Sequence, residues 1–303
     1  MNVEPYRDEL VAHCYRMMGT IQDAEDLAQE TLLRAWRARD RYDSARASVR
    51  TWLFRIATNA CLTALHGRAR RPLPSGLGAP SDDPGAPLTP ALDIPWLQPF
   101  PDGRFDAAAR ADLRLAVVAA LQTLPARQRA VLILRDVLDF TAAEVAEQLQ
   151  TTVAAVNSAL QRARATLAER PDPYRIAESD DADTDATVRA YLTAFEAADV
   201  DGLVRLLAEE AVLEMPPVPL WYRGRGDYRR FMERVFAMRG RDWRVLPLTA
   251  NGQPAFAAYA ADDKGRHLPH TLQVLSVVDG LIAANVVFAD PRVLAAFELP
   301  AQL

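Results

Sequence analysis

Residues 140–167 read FTAAEVAEQLQTTVAAVNSALQRARATL, and few folds accept that pattern. Thr141 with Glu144 forms the S/T-x-x-E capping box that starts a helix. Val145 and Leu149 then share one helical face. After three residues, Gln150-Thr151-Thr152, a second stripe runs through Val153, Val156, Leu160, Ala163 and Leu167. The opposite side of this second helix carries Ala155, Asn157, Ser158, Gln161, Arg162 and Arg164. Two short helices joined by a tight turn, the second polar and basic on its free face, describe a helix-turn-helix. Two more helical segments precede it, ADLRLAVVAALQTL, ended by Pro125, and ARQRAVLILRDVLD.

The other segments have different periods. In the first 71 residues, Ala28, Leu32, Ala35 and Trp36 form one helical stripe, and Val49, Trp52, Ile56, Ala60 and Ala64 form another, with Ser48 as N-cap. Pro72 to Asp106 is rich in Pro, Gly, Ser and Asp and lacks a period, apart from the apolar knot Ile94–Phe100; it reads as a linker. Arg170 to Asp185 contains prolines and an acidic run and reads as a second linker. Beyond it, a helix containing Tyr191 and Phe195 gives way to strand signals. Asn251-Gly252 and Asp279-Gly280 are hairpin turns, because type I′ turns need positive φ at both central residues. The expected organisation is therefore multidomain. Two all-α domains, 1–71 and 107–170, are followed by an α+β domain with a curved antiparallel sheet at 184–303, with linkers at 72–106 and 171–183.

Composition narrows the function. The chain has 303 residues, 50% hydrophobic and 25% charged, with a net charge of -5. The overall charge does not announce a nucleic-acid binder, but its distribution is uneven. From Glu30 to Arg71 there are ten arginines against three acids, and from Met1 to Gln29 six acids against two arginines. An acidic surface followed by a basic one implies two different partners. No window has the ~20 apolar residues of a membrane helix, and MNVEPYRDEL does not read as a signal peptide. Cys14 and Cys61 are expected to be reduced in a cytoplasmic protein. His13, His66, His267 and His270 form no ligand cluster with them, so neither a metal nor a cofactor is expected.

DAEDLAQETLLRAW with TWLFRIATNACLTAL resembles region 2 of extracytoplasmic-function sigma factors, and LPARQRAVLILRDVLDFTAAEVAEQL with VAAVNSALQRARATL resembles their region 4. AFEAADVDGLVRLLAEEAVLEMPP, then WYRG and paired hairpins, resembles the SnoaL-like cone fold, and the combination resembles the actinobacterial SigG-like group. The resemblance implies core RNA polymerase and promoter DNA as partners. Asp23, Asp26, Gln29 and Glu30 are carried over as the core-polymerase contact. Arg41, Tyr42, Arg46, Arg50, Arg55 and Asn59 are carried over for single-stranded −10 DNA, where an unstacked base needs a pocket and flanking cations. Val49 stands where relatives often have an aromatic residue, which implies a different base preference. Trp52 is assigned to the core from its stripe. Arg68, Arg70 and Arg71 are candidates to track duplex phosphate. For the −35 element the candidates are Ala155, Ser158, Gln161 and Arg162 on base edges, with Arg127, Arg129 and Arg164 on phosphates. Relatives often carry Gly at the turn, where this chain has Gln150-Thr151-Thr152.

The C-terminal domain leaves two classes open. Trp221, Tyr222, Phe231, Phe236 and Tyr259 are core or cavity lining. Trp96, in the apolar knot, is a candidate regulatory contact. One class is a regulatory extension with a small-molecule ligand as a further option. The other is an isomerase, cyclase or hydrolase fused to a DNA-binding chain, drawing on His267, His270, Asp262, Asp263 or Asp290. Without a paired spacing among these groups, no enzyme activity is expected. A repressor-like helix-turn-helix protein would leave the first 71 residues unexplained.

Overall fold

In the computed structural model, which describes residues 3–104, 113–168 and 182–303, the sequence periods resolve into two units. One comprises Met1–Arg71 with Arg104–Pro171, and the other Pro72–Gly103 with Asp172–Leu303. The first holds α1 (Arg7–Met18), α2 (Ile21–Arg37), α3 (Val49–Leu65), α4 (Leu115–Gln122), α5 (Ala126–Leu132), α6 (Ala142–Gln148) and α7 (Val153–Ala168). Ser48 caps α3 by accepting from the Thr51 amide. Both halves of the capping box expected at Thr141 and Glu144 are formed. The helix expected from Ala111 is described from Leu115, and residues 171–181 of the second linker lie outside the described residues.

The helices before and after the proline-rich stretch share one core. Phe54 on α3 lies 5.6 Å from Phe140, ring to ring. His13 on α1 packs edge-on to Phe54 and hydrogen-bonds the Thr58 hydroxyl at 3.0 Å. Arg129 on α5 is only 3% exposed. Its guanidinium donates to the carbonyls of Met17, Gln122 and Leu124 and to Oε1 of Gln122. Burial lowers its pKa to about 10, so it remains charged at neutral pH. Cys14 and Cys61 are free and buried, and the Cys61 thiol is pushed up by its hydrogen bond with Cys14 and by burial.

The second unit contains α8 (Ala182–Glu196), α9 (Val200–Arg205), β1 (Leu207–Glu214), β2 (Trp221–Arg223), α10 (Arg225–Arg239), β3 (Trp243–Ala250), β4 (Gln253–Ala261), β5 (His267–Val278), β6 (Leu281–Phe288) and α11 (Pro291–Ala296). The sheet order is β2-β1-β6-β5-β4-β3. Every pair is antiparallel except β1 with β6, so the sheet is mixed where an antiparallel one was expected. Both expected hairpins form. Asn251 and Gly252 have φ of 58° and 69°, and Asp279 and Gly280 have 49° and 71°. An aromatic cluster joins helices to sheet, with Phe195 at 5.7 Å from Phe236, 5.4 Å from Trp243 and 5.3 Å from Phe256.

Residues 72–103, expected as a linker, lie along this sheet unit as a strap. Two of its backbone amides bond to carbonyls of the sheet domain: Ser81 to Trp221 at 2.8 Å and Ala91 to Pro217 at 2.9 Å. Arg234 donates to the carbonyls of Pro84 and Ala86, each at 2.7 Å. The apolar knot docks at the β3–β4 turn. Leu97 and Phe100 are fully buried, the Phe100 amide donates to Asn251 Oδ1 at 2.7 Å, and Asp102 accepts from the Gly252 amide at 2.8 Å.

Three stability outcomes follow from this packing. Unfolded, His13 titrates near 6.5; folded, burial together with Arg16 and Arg50 lowers it to about 3. Well above pH 6.5 neither state carries the proton and this contribution to stability is fully present. As pH falls from there toward 3, the unfolded chain takes up a proton the folded chain refuses, so stability drops by at most about 1.4 kcal/mol per pH unit. Urea unfolding of wild type and His13→Gln at stepped pH checks this, and the variant should show the shallower slope. Arg129→Ala should cost about 3 kcal/mol or more by orphaning buried carbonyls, and Arg129→Lys should recover little, since an ammonium lacks the fork that reaches all of them. Asn251→Gly keeps the turn geometry and the backbone bond to the Phe100 carbonyl but loses the side-chain acceptor of the Phe100 amide, and should cost about 1–3 kcal/mol in thermal melts.

Candidate nucleic-acid interface and cavity

On α2 the buried stripe is Ala24, Leu27, Ala28, Thr31 and Ala35. Trp36, expected on the inner stripe, is 63% exposed, and Leu33 is 49% exposed. They share the helix's outer side with Asp26, Gln29 and Glu30, all exposed. Glu30 pairs with Arg34 at 2.7 Å, and the Arg39 guanidinium lies 4.5 Å over the Trp36 ring. Trp36 was missed because a stripe drawn at i+7 and i+8 is a full helical face wide, and only Ala35 of the two turns inward. Asp23 is different. It accepts from the Thr20 hydroxyl at 2.8 Å, from Arg68 at 3.0 Å and from Arg71 at 2.5 Å. Burial alone would raise its carboxyl; the Thr20 hydroxyl and the two guanidiniums outweigh that and hold it below the usual range. Arg68 and Arg71, expected on duplex phosphate, are thus committed to the fold, while Arg70 is exposed.

A groove of about 450 Å³ opens between α2 and α3, lined by Arg34, Ala38, Arg41, Trp52, Arg55, Ile56 and Asn59. It brings together Arg41, Arg55 and Asn59 from the expected −10 set. It adds Arg34 and Trp52, the second expected in the core. Trp52 is half-buried and lies 5.1 Å from the Tyr42 ring, whose hydroxyl donates to the Ala47 carbonyl at 3.0 Å. Arg46 is exposed on the loop. Arg50 points elsewhere. It grips Glu9 at 2.8 Å, donates to the Leu138 carbonyl at 3.2 Å and stacks between Phe54 and Phe140. The groove thus offers an apolar floor with three guanidiniums at its edges, which suits an unstacked base between phosphates.

In the helix-turn-helix, Gln150 supplies the left-handed turn residue, φ 50°, where relatives often use Gly. Thr152 Oγ1 accepts from the Ala155 amide at 3.2 Å, capping α7. Ala155, Ser158, Gln161 and Arg162 are exposed, as major-groove reading requires. Val153, expected inward, is exposed as well. Arg127 is exposed and donates to the Leu149 carbonyl at 3.2 Å. Arg164 is exposed and paired with Asp136 at 2.7 Å. Arg129, expected on phosphate, is a correction: it is the buried carbonyl clamp described above, because α5 turns it toward the ends of α1 and α4.

The sheet unit encloses a cavity of about 640 Å³. Phe231 lines it, as do Trp243, His270 and Asp290. The other residues proposed for a cavity are used differently. Trp221 donates to the Gly78 carbonyl at 2.9 Å, Trp96 to that of Ala91 at 2.8 Å, and the Tyr259 hydroxyl to that of Pro300 at 3.0 Å. Tyr222 is buried 5.2 Å from Phe231, and Phe236 packs in the core. Of the acid–base candidates, His270 and Asp290 thus line one cavity, with no hydrogen bond between them among the described residues. His267 pairs with Asp242, Asp262 with Arg266, and Asp290 with Arg292. His270 stands 5.5 Å from Trp243, its pKa lowered by burial and by Arg239.

Comparison with known proteins agrees with this arrangement. Residues 3–71 match Sigma-70 region 2, residues 114–167 match Sigma-70 region 4, and residues 188–285 match the SnoaL-like domain. The whole chain is 48% identical to the ECF RNA polymerase sigma factor SigG of Mycobacterium tuberculosis, covering 84% of that protein. It is 32% identical to SigJ of the same organism over 67% of this chain and 60% of SigJ. The crystal structure of Mycobacterium tuberculosis SigJ superposes with a TM-score of 0.68 at 24% identity, over 99% of this chain and 100% of that one, a likeness of fold. The chain belongs to the extracytoplasmic-function sigma factors of RNA polymerase, and it carries a SnoaL-like domain at its C-terminal end.

Proposed function

We propose that the chain binds core RNA polymerase through the outer side of α2, captures −10 DNA in the α2–α3 groove and reads the −35 element with α7. The observation that carries this is the groove, where Arg34, Arg41 and Arg55 surround Trp52 and Ile56. The division of labour is region 2 in 1–71, region 4 in 107–170, and a C-terminal domain, 184–303, that modulates them. On α2, Asp26, Gln29 and Glu30 with Leu33 and Trp36 make the polymerase contact. Asp23 supports that surface from within through Arg68 and Arg71. Arg50 joins the −10 set only by releasing Glu9 and Leu138. On α7, Ala155, Ser158, Gln161 and Arg162 face the bases, and Arg127 and Arg164 the phosphates. Among the described residues no helix is long and apolar enough to cross a membrane, which fits a cytoplasmic setting. His270 and Asp290 share the cavity, but Asp290 is held by Arg292 and His267 by Asp242, which favours a regulatory C-terminal domain over an enzymatic one.

Run-off transcription with core polymerase on a library of randomised −35 and −10 elements tests this reading. Promoter-specific transcripts are expected, and their absence together with a lack of core binding overturns it. In the same assay Arg162→Ala should relax −35 preference by about 1–3 kcal/mol at one position. Leu33→Ala with Trp36→Ala should weaken core binding about ten-fold or more without lowering the melting temperature, because both side chains are exposed in the free protein.

A further inference from the structure

The cavity of the sheet unit has a polar end that its own protein groups leave incomplete. Asn285, 1% exposed, lines it. Its Nδ2 donates to Gln273 Oε1 at 2.7 Å and to the hydroxyls of Tyr228 at 2.9 Å and Tyr191 at 3.2 Å. Those two hydroxyls are 2.5 Å apart. Burial raises both phenols, Tyr228 to about 12, so they stay protonated and offer no anionic base. The other end of the carboxamide, Oδ1, is buried without a partner. A buried amide oxygen is costly until something donates to it. The rest of the lining is largely apolar, including Leu213, Met215, Met232 and Val287. The volume, about 640 Å³, suits a small molecule.

The lining also includes Leu88, Pro90 and Leu92 from the strap. Leu88 packs against the aromatic core, whereas Leu92 is 80% exposed. Between them and the sheet unit runs the Ala91 amide bond to Pro217, itself a lining residue. By chain connectivity the strap continues into region 2 at one end and toward region 4 at the other.

We propose that this cavity binds a small, largely apolar molecule bearing one hydroxyl, that the hydroxyl is held by the Asn285 carboxamide, and that occupancy secures the strap around residues 88–92. A hydroxyl is the matching group because it can donate to the open Oδ1 and equally serve the amide in its flipped orientation. Control of transcription by such a ligand rests on the sigma-factor reading above. Binding does not, so the two can fail separately.

The test uses the full chain without polymerase. Calorimetry compares 2-naphthol with naphthalene and 4-butylphenol with butylbenzene, matched pairs that differ by the hydroxyl. Each phenol should bind with Kd below about 1 mM and about ten-fold tighter than its hydrocarbon. Asn285→Leu should keep hydrocarbon binding and lose the hydroxyl preference. If that variant fails to fold, Val235→Trp, which fills the cavity, should abolish binding of both members of each pair. Hydrogen exchange at the Ala91 amide should slow on saturation with 2-naphthol. Failure of both phenols to bind overturns the site. Equal binding within the pairs means that water satisfies Asn285 and overturns the hydroxyl assignment, as does tighter binding of 2-naphthoate, which would point to Arg239 at the exposed rim. Unchanged exchange at Ala91 overturns the coupling to the strap.

Discussion

The helical unit depends on one buried guanidinium. A helix that ends inside a protein leaves carbonyls that water can no longer reach. In this chain α1 and α4 both end inward, and Arg129 from α5 collects their carbonyls. Gln122 helps twice, accepting from Arg129 and donating to the Arg16 carbonyl at 3.2 Å. Arginine suits this position because its five N–H groups lie in a fixed plane and it does not deprotonate near neutrality. Arg50 performs a similar service elsewhere, joining Glu9 to the Leu138 carbonyl between two phenylalanine rings. Through these two arginines the segments on either side of the strap share one core.

That commitment sorts the arginines of a chain that has only one lysine. Arg50, Arg68, Arg71 and Arg129 are held by carboxylates or carbonyls of the fold. Arg41 and Arg55 border the groove with Arg34, which is paired with Glu30 on the surface of α2, and Arg162 stands on the free side of α7. Tertiary structure thus divides a basic sequence into cations that hold the protein together and cations available to DNA. The strap is held the same way, its Gly78, Pro84 and Ala86 carbonyls accepting from Trp221 and Arg234, and its apolar knot finds a place at a hairpin turn.

Much of this was legible from local patterns. The capping box at Thr141, the N-cap at Ser48 and the turns at Asn251-Gly252 and Asp279-Gly280 are determined by groups within three or four residues of one another, and each formed as expected. The exposed face of α7 followed from helical spacing and that of α2 from the resemblance, except at Asp23, while the inner stripes were drawn too far at Trp36 and Val153. Arg50, Arg68, Arg71, Arg129 and Trp52 were misjudged because the contacts that position them lie in other segments. Trp52 belongs to an apolar stripe yet also meets the groove edge, and periodicity alone does not say where a core stops.

By itself the sequence determined the helices, the hairpins, the order of the three family segments and the set of polar side chains facing outward on α7, because short-range hydrogen bonding and periodicity decide those features. Only the tertiary structure decided which arginines are buried, that the proline-rich stretch lies on the sheet unit, and that Asn285 closes a cavity with one oxygen left open. Each of these depends on carbonyls, rings and amides brought together from distant parts of the chain, and whether a polar group is satisfied or free is settled only when those parts meet.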